Sequence, residues 1–277
     1  MNRRQMLHGS AALSLVMSAA SVAENLSGDF LHRYRKLRFA LHEDVFFWWL
    51  RGTKFGVIDS RVTPLYNMEI ASIFRCKAGS GDEFSVTSLE LVYNTDLATG
   101  QPLTQWHNPY TDETVAMRAA DPVGPVTVPY RATGPELPTS LPGASLRHQH
   151  NSEFLDGGGD TQILRDESVA VVTRLGTQAP DFIVNDLSTY QASKRDLANK
   201  RLLAPPASVA FTAVSNWQLW MKMGERPGSL LSRAVGGKAA RLADCPKSYV
   251  DLLARFHPEI LRDPAAALLR PAAKFER

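Results

Sequence analysis

Two cysteines in 277 residues, Cys76 and Cys245, leave no cysteine-based zinc cluster and no disulfide framework. They could form at most one bridge in an oxidising compartment, and their separation in sequence carries no geometry that decides it. The usual signatures of common chemistries are also missing. There is no Gly-x-Ser-x-Gly elbow, no His-Glu-x-x-His, no Gly-Lys-Ser/Thr phosphate loop and no Gly-x-Gly-x-x-Gly opening a helix. Charge of one sign is scarce: 31 Lys and Arg against 28 Asp and Glu give +3, and +1 without Arg3 and Arg4. That balance makes no electrostatic case for nucleic acid. After the N-terminal segment no apolar run approaches the ~20 residues of a membrane helix. No fixed-period repeat is present, which argues against a solenoid or propeller.

What is there begins with an export-type leader. Arg3 and Arg4 precede a short apolar run, residues 11–17, and a small-residue stretch ending at Ala23. Basic, apolar and cleavage regions in that order resemble a twin-arginine signal peptide of residues 1–23. The expectation is a periplasmic or secreted mature chain, residues 24–277, with no membrane insertion after the signal is removed. Forty-four per cent hydrophobic residues suffice for a substantial core, and one β-rich domain is expected.

Residues 29–41 place Phe30, Leu31, Tyr34, Leu37, Phe39 and Leu41 near helical spacing. The texture then changes. Residues 45–67 read as a hairpin, with Asp59 either its turn residue or a buried acid. Residues 68–79, 83–96, 161–176, 181–193 and 208–223 are further strand-like runs. In 83–96, Phe84, Val86, Ser88, Glu90 and Val92 alternate with Ser85, Thr87, Leu89, Leu91 and Tyr93, so both faces are partly covered. Residues 97–117 read as a connection ending in a short strand. Residues 119–145, rich in Pro and Gly, read as an irregular arm with a short edge strand at 126–131. Helical texture returns from Pro246, with prolines at first-turn positions. Strands do not alternate with helices, which excludes a doubly wound sheet. The fold expected is mainly β: an antiparallel barrel or strongly curved sheet, with an N-terminal helix and short C-terminal helices. A two-sheet sandwich is the alternative.

Such bodies hold small molecules in the barrel mouth, among aromatics and a few polar groups. The candidates cluster in two stretches. Residues 105–115 supply Trp106, His107, Asn108 and Tyr110, with His107 a possible acid or base; an Asn-Pro turn on the barrel rim also accounts for them. If 208–223 is a strand, Trp217, Leu219, Met221 and Met223 share a core face, and Asn216, Gln218, Trp220 and Lys222 share a mixed one. Arg226 is a candidate carboxylate partner. Tyr66, with His107, Tyr110 and Lys222, completes the catalytic candidates. Residues 147–153 read as a polar surface loop; on a strand, His148 and His150 would share a face as weak metal candidates.

The stretches "ATGQPLTQWHNPYTDETV" and "WMKMGERPGSLL", with the later "GGK", resemble the family called domain of unknown function 1838. The resemblance implies one domain spanning about residues 30–264 and brings no catalytic roles. In that family "NPYT" is usually followed by glycine; here Asp112 stands there. The residues therefore support three functions: an acid–base enzyme of isomerase, lyase or hydrolase type acting on a hydrophobic or aromatic molecule without a cofactor; a non-catalytic ligand-binding barrel; or a metal enzyme centred on His148 and His150.

Overall fold

The computed structural model describes residues 28–117, 123–141, 143–178 and 180–271; the expected signal segment lies outside them. In chain order the elements are α1 (Gly28–Arg38), β1 (Phe46–Ile58), β2 (Arg61–Ala78), β3 (Phe84–Thr95), β4 (Gln105–Asn108), β5 (Glu113–Ala116), β6 (Val123–Arg131), β7 (Gly134–Pro135) and β8 (Ser140–Leu141). Then come β9 (Ala144–Asp156), β10 (Thr161–Arg174), β11 (Phe182–Ser193), α2 (Lys194–Ala198), β12 (Ser208–Ser215), β13 (Ser229–Ala239), α3 (Lys247–Phe256), α4 (Pro258–Arg262) and α5 (Pro264–Ala267).

Eleven strands form one sheet in the order β7-β6-β3-β2-β1-β13-β12-β11-β10-β9-β8, and every pairing is antiparallel. The barrel-like expectation holds and the two-sheet sandwich does not. Chain length alone shows why the sheet must curl. Laid flat, eleven strands would put its two edges about 48 Å apart. Yet residues 136–139 join β7 at one edge to β8 at the other, and that connection reaches about 18 Å at most. Gly52 and Gly236 lie where β1 and β13 run against each other. A β-carbon on Gly236 would collide with the Trp49 carbonyl oxygen, and one on Gly52 with that of Arg233. Only glycine lets β1 and β13 approach so closely.

The hairpin read at 45–67 is β1–β2. Its two-residue turn is Asp59-Ser60, with φ of +49° and +62°, as a two-residue turn between right-twisted strands requires. Asp59 is exposed there rather than buried. Period-2 alternation then sorts side chains between two faces. The convex face of β1–β3 presents Phe47, Ala71, Ile73, Leu89, Leu91 and Tyr93 to α3–α5. Helix α3 meets it with Tyr249, Leu252 and Leu253, a helical i, i+3, i+4 stripe.

Two hydrophobic clusters fill the concave side at opposite ends. At one end α1 plugs the barrel, burying Leu31, Tyr34 and Leu37 against Phe74, Phe84, Leu164 and Tyr190. Lys238 anchors the plug. Its Nζ donates to the carbonyls of Lys36 (3.1 Å) and Phe39 (2.8 Å) at the C-terminal end of α1, where helix carbonyls lack intrahelical partners. Burial, reinforced by Arg38, lowers this amine to about 7. At the other end the β4–β5 hairpin and residues 217–223 cover Leu65, Tyr66, Met68 and Leu230.

Three expectations are corrected. Residues 208–223 are not one strand: β12 ends at Ser215 and a 3-10 turn occupies Leu219–Met221. The β-branched residues run out at Val214, and Asn216 Oδ1 accepts from Ile183 N (2.9 Å), closing the ladder. The two-face division of 216–223 therefore does not exist. Residues 147–153 are not a loop but the middle of β9, paired with β10 throughout. The arm at 119–145 contains β6, β7, β8 and the start of β9, apart from residues 118–122 and 142, which lie outside the described residues.

Candidate functional site

Between the two clusters, the concave faces line a cavity of about 180 Å³. Strand alternation places its polar lining. Glu90 comes from β3, Ser72 from β2, Asp186 and Ser188 from β11, Asp166 from β10 and His150 from β9. Arg38, at the end of α1, reaches it from the plugged end. Trp48, Phe74, Tyr190 and Phe211 form its apolar walls.

Asp166 is the centre of a hydrogen-bonded group at the cavity wall. It lies 2.7 Å from His150 Nε2, accepts from Ser152 Oγ at 2.5 Å and from Tyr34 Oη at 3.2 Å, and stands 3.6 Å from Arg38 Nε. Burial alone would raise this carboxyl; the hydrogen bond and charge of His150, with Arg38 and Ser152, outweigh it and hold it below the usual carboxylate value. Ser152 Oγ is also 3.2 Å from His150 Nε2. A serine, a histidine and an aspartate thus meet, but not as a nucleophilic triad, which needs the acid and the hydroxyl on opposite ring nitrogens. Here both sit on Nε2. The arrangement orients His150 and leaves Ser152 an acceptor-bound hydroxyl. Arg38 also stacks over Tyr190 at 4.5 Å. Burial first, then the Asp166 and Asp186 charges, push the Tyr190 phenol up to about 12 against the opposing Arg38, so it stays protonated.

Asp186 stands level with His150, both pairing with Ser168 from either side, and Glu90 enters the same cavity from β3. Burial, and then the Glu90 charge, raise the Asp186 carboxyl to about 6; Lys54 on β1 partly offsets them. A carboxyl in that range can give and take a proton near neutrality.

The residues singled out from sequence sit elsewhere, with one exception. His150 lines the cavity. His148 is two residues away on the same face of β9, and burial and its neighbour His150 lower its pKa. Among the described residues no three His, Cys, Asp or Glu side chains come together to hold a metal. Tyr66, Trp106 and Trp220 do meet, with ring centroids 5.7–6.4 Å apart, as an apolar plug at the hairpin-covered end. Asn108 is fully buried beside them, donating to Met221 O at 2.7 Å and accepting from Tyr110 N at 2.9 Å. Tyr110 packs on Gly56 and on Trp217. His107, on the outward face of β4, is exposed beside Asp112 at 3.3 Å. Lys222 makes an exposed ion pair with Glu113 at 3.2 Å. Trp220 Nε1 donates to Gln218 Oε1 at 2.9 Å; Asn216 and Arg226 are exposed. Cys76 and Cys245 are unpaired and buried in different clusters.

A family model described as "Protein of unknown function (DUF1838)" matches residues 42–132 and 177–272, well over half of the chain. The chain belongs to this family. Among curated proteins and among solved structures nothing matches. Membership in DUF1838 covers Trp48, Glu90, Asp186, Tyr190 and Lys238, but not residues 133–176, which carry His150, Ser152 and Asp166. Asp112, after "NPYT", has φ +59°, the left-handed region glycine enters without cost. The cavity's acids escaped sequence reasoning, although a signal existed. Glu90 stands on the apolar-alternating face of 83–96, and Asp186 stands with Val184, Ser188, Tyr190 and Ala192 on one face of 181–193.

Proposed function

We propose that this DUF1838 protein is an exported acid–base enzyme acting on a small hydrophobic or aromatic molecule held in the barrel cavity. The observation that carries this reading is the convergence of Asp186, Glu90 and an Asp166-oriented His150 on one aromatic-walled space. A barrel that only stored an apolar ligand would gain nothing from titratable groups whose burial costs stability. The size fits one ring: a cavity of about 150 Å³ already holds benzene. In the proposed step His150 takes a proton from carbon and returns one to another atom of the same molecule, while Asp186 holds the molecule in place. The product is an isomer, and exchange of the His150 proton with solvent carries deuterium into it.

The test is deuterium incorporation from D2O into cyclic ketones and ring amines, followed by NMR. Wild type is expected to exchange a carbon-bound proton. His150→Ala and Asp186→Asn are each expected to slow exchange by about 100-fold. Unchanged exchange in both variants, or none with any ring small enough to enter, would sink the reading.

The export part of the proposal rests on the Arg3-Arg4 leader alone. Mature protein from the periplasmic fraction is expected to begin at Glu24 by intact mass, and Arg3→Lys with Arg4→Lys to retain the chain in the cytoplasm. Full-length protein at its site of residence, unaffected by that pair, would count against export.

A further inference from the structure

The acids that line the cavity differ in how their charges are satisfied. Asp166 receives Ser152, Tyr34 and His150 and faces Arg38. Among the described residues no hydrogen bond reaches the Glu90 or the Asp186 carboxylate, although both line the cavity. Asp186 is largely buried with its acceptors at the cavity wall, and Glu90 is half-buried there. A carboxylate so placed without a donor is unusual in a folded protein. The two acids, at the wall of a cavity flanked by Trp48 and Phe211, form a place for a donor-rich cation. Two carboxylates fall short of a metal cage but match an ammonium group, which offers three hydrogens.

We propose that the molecule held here is a monocyclic amine, seated with its protonated nitrogen between Glu90 and Asp186 and its ring against the aromatic walls. This rests on the reading of the cavity as the active site, and it narrows the substrate class from any apolar ring to a cationic one. Ring size follows from the 180 Å³ available. The sign of the charge follows from the two acids that receive no hydrogen bond: a ring carboxylate placed between Glu90 and Asp186 would meet two like charges.

The groups that face Asp186 are Lys54 from β1, Glu90 from β3 and Asp166 from β10, with Tyr190 farther along β11. Arg38 and His150 line the same cavity, His150 level with Asp186 across Ser168. Protonation of Asp186 removes one of the two charges an ammonium needs. Amine affinity therefore weakens as pH falls through about 6, and Asp186→Asn abolishes that dependence.

Three probes of one shape decide the matter by calorimetry on the mature protein at neutral pH: benzylamine, benzyl alcohol and benzoate. The expected order is benzylamine at least ten-fold tighter than benzyl alcohol, with benzoate not binding. Glu90→Gln and Asp186→Asn are each expected to weaken benzylamine about ten-fold and to leave benzyl alcohol within two-fold. The wild-type comparison needs no variant, so a folding defect in either cannot mask the outcome. Benzyl alcohol or benzoate binding as tightly as benzylamine overturns the inference, as does the absence of benzylamine binding at millimolar concentration. Failure here leaves the deuterium-exchange test standing, because that test reads His150 and Asp186 on neutral ring ketones as well.

Discussion

Replacing Asp186 with asparagine is expected to stabilise the unliganded protein at pH 7 by roughly 2–3 kcal/mol, the linkage value of a carboxyl raised by about two units. The sign follows from the direction of the shift. Asp186 titrates near 6 when folded, against 3.8 as a free side chain, because burial and then Glu90 disfavour its charge. Between those values the folded chain holds the proton and the unfolded chain releases it, so stability falls as pH rises from about 4 to about 6. Below that window the carboxyl is neutral in both states and the variant gains nothing. Denaturant melts of both proteins at pH 4 and pH 7 measure the difference directly. A variant no more stable at pH 7, or equally favoured at both pH values, would show that Asp186 carries no buried charge. Removing a functional group often has this effect, since active sites are held against the stability of the fold.

Asp166, diagonal to Asp186 across the β10–β11 ladder, is expected to behave in the opposite way. Asp166→Ala strips the counter-charge from Arg38 and the acceptor from Tyr34, Ser152 and His150. Breaking a buried pair from one side typically costs about 3–5 kcal/mol, because the surviving charge stays desolvated. The double variant Asp166→Ala with Arg38→Met is expected to recover part of that loss. Urea unfolding of wild type, both single variants and the double variant gives the coupling energy. A double variant as unstable as the two single losses added together would mean that Arg38 and Asp166 do not act as a pair. Because the folded-state value of Asp166 is depressed, its contribution persists through the mildly acidic range in which the Asp186 penalty disappears. Wild type should therefore be more stable near pH 4.5 than at pH 7 so far as these two groups are concerned.

Much of the architecture was legible because alternation is a local signal. The hairpin at Asp59-Ser60, the strands at 84–95 and 161–174, the opening helix and the C-terminal helices all announce themselves in residue spacing. Asn216 shows where that signal stops. Its side chain ends a ladder by bonding a backbone amide of β11, a contact no spacing within 208–223 encodes. His148 and His150 failed for a related reason. A polar strand facing a polar cavity looks, in one dimension, like a surface loop. The aromatic stretches "QWHNPY" and "NWQLWM" drew attention by composition, and they do come together, but as the apolar stopper of one barrel end. The acids of the cavity sat singly on three separate strands, and only sheet order brings Glu90 to Asp186.

That order also bears on how the protein is made. Strands β1, β2, β3, β6 and β7 form one ladder drawn from the first half of the chain, and β8 to β13 a second drawn from the rest. Each ladder can zip up from neighbouring hairpins as it leaves the ribosome. The two are joined in the sheet by the β1–β13 pairing, where Gly52 and Gly236 let the strands run close, and β13 is the last strand among the described residues. Glu90 belongs to the first ladder, and His150, Asp166 and Asp186 to the second. The cavity is thus absent from any nascent chain shorter than about 240 residues, and it comes into being in the same event that completes the sheet.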